Sequence, residues 1–140
     1  MKCVSLLFFN ILIFYSSFAG VGESKVNHEA WDKLLAKHVN SSGNVNYNGF
    51  EADKNLLNSY LNLLSKQEPS DSWSKNEKMA YWINAYNAFT VKLILDHMPL
   101  KSIMGVNGGK AWDLKFIKIG SKTLSLNNIE HDILRAKFKD

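Results

Sequence analysis

The side chains with the most chemical potential gather in two short stretches. Glu130-His131 sets a carboxylate beside an imidazole, and Asn84 and Asn87 place two amides inside a strongly apolar run. Acid/base work needs both groups within reach of one substrate. Adjacent helical residues point about 100° apart, so Glu130 and His131 do not share a helix face. Their use as a pair therefore calls on a second element, and Asn87 is the candidate third member. Tyr81, Asn84 and Trp112 are the candidate binding residues, with the Gly108-Gly109 loop bordering the same groove.

Other chemistries lack their spacing. No pair among His28, His38, His97 and His131 stands at ligand distance in sequence, and His28-Glu29-Ala30-Trp31 lacks the second histidine of a zinc-protease helix. Ser121 and Ser125 have no Gly-x-Ser-x-Gly context. The Met104-Gly105-Val106-Asn107-Gly108-Gly109 loop has neither the dinucleotide-binding glycine spacing nor the Lys-Ser/Thr of a phosphate-binding loop. No metal and no cofactor are expected.

The elements that must position these groups follow from periodicity. Trp31, Leu34, Leu35 and His38 recur at helical spacing and predict a first helix from about Asn27 to Val39. Asn40-Ser41-Ser42-Gly43-Asn44 is a polar turn, followed by a short strand at Val45-Asn46-Tyr47 and a turn at Asn48-Gly49. Leu56, Leu57, Tyr60, Leu61 and Leu64 mark a second helix, closed by Pro69-Ser70-Asp71.

A third helix opens at Ser74, with Glu77 in capping-box spacing, and ends before Pro99. Lys78, Tyr81, Ala85, Lys92 and Asp96 form its narrow solvent strip, and the rest is so apolar that this helix belongs at the centre of the fold. Asn84 and Asn87 then face inward and need hydrogen-bond partners. Lys115 to Ile119 and Lys122 to Leu124 flank Gly120-Ser121 as a β-hairpin. Ser125 caps a last helix from about Leu126 to Lys137, in which Glu130 lies between two apolar faces and could pair with the asparagines. Helices with one small hairpin make an α+β domain, with residues 20–140 forming one unit.

The N-terminus carries the clearest address. Lys2 precedes an apolar stretch from Cys3 to Tyr15, and Ser17 and Ala19 suit a cut after Ala19. This is the pattern of a cleavable export signal over residues 1–19, and a permanent anchor would need about 20 apolar residues. Periplasmic or secreted localisation is expected. Cleavage removes Cys3, the chain's one cysteine, and with it any disulfide or thiolate nucleophile. Without Lys2 the balance is 16 basic against 13 acidic side chains. So small an excess, without interleaved aromatics, argues against nucleic acid as a partner.

Four motifs in order carry a resemblance. Tyr81-Trp82-Ile83-Asn84-Ala85-Tyr86-Asn87-Ala88-Phe89-Thr90 is followed by Pro99-Leu100-Lys101-Ser102-Ile103 and Trp112-Asp113, then by the run from Leu124 to Arg135. Together with Trp31 to Tyr47, these segments resemble the family known as domain of unknown function 547. That family brings no established activity. Its members continue past Phe138-Lys139-Asp140 with a His-Phe-Ala-Leu segment and cysteines, so the resemblance implies a shortened member. The reading that follows is an exported, non-catalytic module with a peptide, glycan or protein partner. The alternative is a hydrolase or transferase built on Asn87, Glu130 and His131.

Overall fold

The computed structural model describes residues 26–138. The expected export signal, its cut after Ala19, and Cys3 lie outside the described residues. The first helix, α1, spans Glu29–His38 and buries Trp31, Leu34 and His38. Its start is two residues later than the periodicity predicts, because the Asn27 side chain accepts the Glu29 N–H at 2.8 Å and holds the chain short of a first turn. Val39 pairs with Val45 as a single antiparallel bridge. Between them, Asn40 Oδ1 accepts the N–H groups of Ser42 and Asn44.

The strand expected at Val45-Asn46-Tyr47 is reduced to that bridge. Asn46 instead caps a short helix, α2, over Tyr47–Ala52, its side chain accepting the Gly49 N–H. A capping asparagine competes well with an extended backbone, which is why the predicted turn at Asn48-Gly49 becomes the first turn of a helix. Helix α3 spans Lys54–Lys66 and buries Leu57, Tyr60, Leu61 and Leu64, one face at helical spacing. Leu56, one residue off that face, is 40% exposed. The Tyr60 and Trp31 rings stack at 5.8 Å, joining α3 to α1.

Helix α4, Lys75–Asp96, starts with the predicted capping box between Ser74 and Glu77. It packs against α2, α3 and the C-terminal helix, and no residue from Lys78 to Leu95 is fully exposed. The predicted solvent strip needs correction. Lys78, Lys92 and Asp96 reach water, but Tyr81 and Ala85 are completely buried. The Tyr81 hydroxyl donates to the Leu64 carbonyl at 2.6 Å, tying α4 to α3. The half-open side of the helix's first half is instead Met79, Ala80, Ile83, Asn84 and Asn87. An apolar residue on every side leaves the helix without a directional signal, and the neighbouring helices decide which side closes.

Two short 3₁₀ segments, Ile103–Gly109 and Ala111–Asp113, lead to the hairpin of β1, Ile117–Ile119, and β2, Lys122–Leu124. Ile117 pairs with Leu124 and Ile119 with Lys122, as the two-residue turn requires. Gly120 takes φ +57° there, a conformation suited to glycine. Its N–H donates to the Ser65 carbonyl at 2.9 Å, and Lys122 pairs with Glu68, so the hairpin tip docks on the end of α3.

Helical structure resumes over residues 126–137, and within it Asn128–Arg135 is a π-helix. Ser125 and Asn128 bond reciprocally, each backbone N–H to the other's side chain, and cap this element as predicted. Leu126, Ile129 and Ile133 form its buried face. The architecture is α+β: helices around α4 with one antiparallel two-stranded sheet.

Candidate functional site

Glu130 stands at the contact between the C-terminal helix and α4. Its Oε2 accepts the Tyr86 hydroxyl at 3.3 Å, and its Oε1 accepts from the Arg135 guanidinium at 2.7 Å. Arg135 is five residues from Glu130, a spacing that an α-helix sets on different faces and a π-helix brings together. The carboxylate is therefore satisfied by a phenol and a cation, and its side chain remains 29% exposed. The pairing expected with Asn84 and Asn87 does not form. Glu130 does reach the third helix, but through Tyr86, the residue between the two asparagines.

Tyr86 was legible in the sequence only as one more apolar position of a buried helix. Burial pushes its hydroxyl up to about 12, helped by the negative charge of Glu130, while the Trp112 indole beside it opposes the rise. Trp112 is thus placed at the same cluster, half-buried beside Tyr86. Next to it, Asp113 Oδ1 accepts from the Asn127 amide at 2.6 Å. Asn128 likewise donates to Asp132 at 2.8 Å. The residues that join α4, the second 3₁₀ segment and the C-terminal helix are Tyr86, Trp112, Asp113, Asn127, Glu130 and Arg135.

A raised tyrosine pKa has a signed consequence for stability. The fold holds the Tyr86 proton more tightly than the unfolded chain, whose ordinary value is 10.0. The contribution is complete below about pH 10 and is lost as pH climbs to about 12. Tyr86→Phe has nothing to ionise at this position, so its urea midpoint should decline less steeply than that of the parent between pH 9.5 and 12. Lysine deprotonation is common to both proteins and cancels. Parallel decline of the two would show that Tyr86 ionises as freely folded as unfolded.

The remaining candidates are separated from this cluster. Tyr81, expected at a groove edge, lies in the core with its hydroxyl bonded to backbone. His131 is exposed and has no hydrogen-bond partner among the described residues. Asn84 and Asn87 are half-buried, and their side chains also make no hydrogen bond among the described residues. The other histidines are engaged. His28 meets the Tyr60 hydroxyl at 2.6 Å, His38 meets Asp53 at 2.7 Å, and His97 meets the Leu93 carbonyl at 2.8 Å. Burial lowers the pKa of His28, with Asp32 opposing the shift. Ser125, buried at 3% exposure, spends its hydroxyl on the helix cap. Among the described residues no three His, Cys, Asp or Glu side chains gather to hold a metal ion.

Two surface concavities lie away from the cluster. One, of about 250 Å³, is bordered by the ion pairs Lys54–Glu51 and Lys92–Asp96. The other, of about 430 Å³, runs between α1 and α3 beside Leu56 and Tyr60.

Comparison with known proteins gives one match. The family described as "Protein of unknown function, DUF547" matches residues 70–140, just over half of the chain. No curated protein and no solved structure matches it. The matched span contains α4, both 3₁₀ segments, the hairpin and the C-terminal helix, and so every residue of the Tyr86–Glu130–Arg135 contact. With that span covered, the chain belongs to the DUF547 family of proteins of unknown function.

Proposed function

We propose that this chain is an exported binding module, which holds a peptide, glycan or protein segment against the half-open side of α4 with Asn84 and Asn87 as its contact residues. The observation that supports this best is the condition of the two amides. Each is half-buried, and neither is bonded among the described residues. Leaving such groups unmade costs roughly 1–3 kcal/mol apiece when water is excluded. A ligand that excludes water there must supply donors and acceptors of its own, which makes the pair selective for polar, hydrogen-bonding segments. Residues three apart on a helix are neighbours, about 5–6 Å between their Cβ atoms, so one ligand can reach both.

A binding role accords with the state of Glu130. Its oxygens are already taken by Arg135 and Tyr86, so base catalysis with Asn87 and His131 would first require release of an ion pair. The export half of the proposal rests on residues 2–19, whose charge, apolar run and small-residue cut site fit a cleavable signal.

A thermal-shift screen against unstructured peptides and soluble cell-wall glycans tests the binding reading. A binder should raise the melting temperature of the parent. Asn84→Ala/Asn87→Ala should weaken that binder about tenfold to thirtyfold, the equivalent of two lost hydrogen bonds, while the unliganded variant melts like the parent. A binder whose affinity survives both substitutions would place recognition elsewhere. Export is read separately, by a mature product beginning at Gly20.

A further inference from the structure

We propose that the loop from Lys101 to Lys110, together with the neighbouring Lys115 and Lys118, is a docking surface for an anionic lipid bilayer, with Met104 as its inserting tip. It shares no residue with the α4 site proposed above. Between residues 98 and 121 there are four lysines and one carboxylate, Asp113. Asp113 is taken by Asn127. Lys101, Lys110, Lys115 and Lys118 are all exposed, and none forms an ion pair among the described residues. Elsewhere Lys33, Lys37, Lys54, Lys78, Lys92 and Lys122 each hold a carboxylate. Among the described residues Lys66, Lys75 and Lys137 are unpaired as well, but they are scattered in sequence, whereas residues 98–121 bring four unpaired lysines together against one carboxylate.

Met104 sits inside this cationic loop and is 57% exposed. Its exposure is imposed by the backbone. Ile103 and Val106 on either side are buried and anchor the loop, and the Ser102 hydroxyl accepts the Met104 N–H at 3.2 Å. Asn107, Gly108 and Gly109 all take positive φ and turn the chain back, so that the Met104 carbonyl comes within 3.8 Å of the Cβ position of Gly109. The Asn107 amide donates to the Lys110 carbonyl at 3.0 Å and closes the loop. The backbones of Met104 and of Gly109, next to Lys110, are thereby held close, and Lys101 lies three residues before Met104.

An apolar tip between lysines suits a bilayer better than a soluble polyanion. The lysines gain from either, but an exposed methionine gains only where hydrocarbon is available to receive it. No helix among the described residues is long and apolar enough to cross a membrane, so the contact is peripheral.

Sedimentation with vesicles tests the proposal on the purified full-length product. The reading is the partition into phosphatidylcholine vesicles containing phosphatidylglycerol minus that into phosphatidylcholine alone, so that lipid affinity of the N-terminal segment common to all variants subtracts out. The parent should favour the anionic vesicles, and the preference should vanish at high salt. Lys101→Glu and Lys110→Glu should each reduce it about fivefold. Lys115→Glu/Lys118→Glu, on the hairpin side, should reduce it at least as much, and Met104→Ser should cost roughly threefold. All five positions are exposed, so melting should be unchanged. Equal partition into the two vesicle types overturns the proposal, as does an anionic preference that persists in the lysine variants. Binding to soluble polyglutamate as tight as to vesicles, unaffected by Met104→Ser, would assign the lysines to an acidic polymer and also overturn it.

Discussion

Tyr81→Ala is expected to lower folding stability by about 3–5 kcal/mol, the usual cost of emptying a fully packed aromatic position. The ring is completely buried and meets Trp73 and Trp82 edge-on at 5.7 and 5.1 Å. Its hydroxyl also satisfies the Leu64 carbonyl at 2.6 Å. Burial raises the pKa of that hydroxyl. Because a domain of this size is stable by only about 5–15 kcal/mol, this single change removes a large part of the total. Tyr81→Phe keeps the ring and loses one hydrogen bond, so it should cost about 1 kcal/mol. Urea denaturation separates the two. The result also bears on function, since a residue lining a ligand groove would leave the midpoint untouched and change binding alone.

Gly49→Ala should destabilise the protein by about 2–4 kcal/mol, against the trend for its secondary structure. In a helix interior, alanine is ordinarily favoured over glycine by about 1 kcal/mol. Here a Cβ would run into Nδ1 and Cε1 of His38. That imidazole cannot swing aside freely. It is 6% exposed, lies 5.0 Å from the Phe50 ring, and bonds through Nε2 to Asp53. Overpacking costs typically 1–3 kcal/mol, and a displaced imidazole would also lose its hydrogen bond to a carboxylate. In the background of His38→Ala the collision disappears, and the same substitution should become neutral or stabilising. A urea midpoint that rises in the parent would mean that the ring moves without cost.

Glycine 49 also shows why the local reading failed there. Asn48-Gly49 has the composition of a turn, and nothing nearby in the sequence shows that a histidine from α1 presses on the glycine's α-carbon. The requirement for glycine comes from a contact eleven residues away, whereas the local signal, a capping asparagine at 46, was compatible with strand or helix. Residues with strong local chemistry were read correctly. Ser74 and Glu77 cap α4 at the expected point, and Gly120-Ser121 turns the hairpin in the expected register. Leu57, Tyr60, Leu61 and Leu64 close the expected face of α3.

The candidate site divides along the same line. Glu130 and the two asparagines stood out as polar groups in an apolar setting, and Trp112 as part of a family motif, but the partners of Glu130 did not. Arg135 reaches it because the helix widens to π geometry, and Tyr86 reaches it because α4 turns that side toward the C-terminal helix. Both depend on packing between elements. Tyr81 is the converse case, a polar tip whose burial follows from the position of the Leu64 carbonyl.

The sequence by itself determined the α+β class, the boundaries of α4 and of the last helix, the hairpin register, and the family motifs, because caps, turns and apolar periodicity act over a few residues. Only the tertiary structure decided which side of α4 stays open, that Tyr81 belongs to the core, that Glu130 is held by Tyr86 and Arg135, and that Met104 stays exposed between the buried Ile103 and Val106. A helix apolar on all sides has no preferred orientation until its neighbours bury it, and a charged side chain has no fixed partner until the backbone brings one within reach.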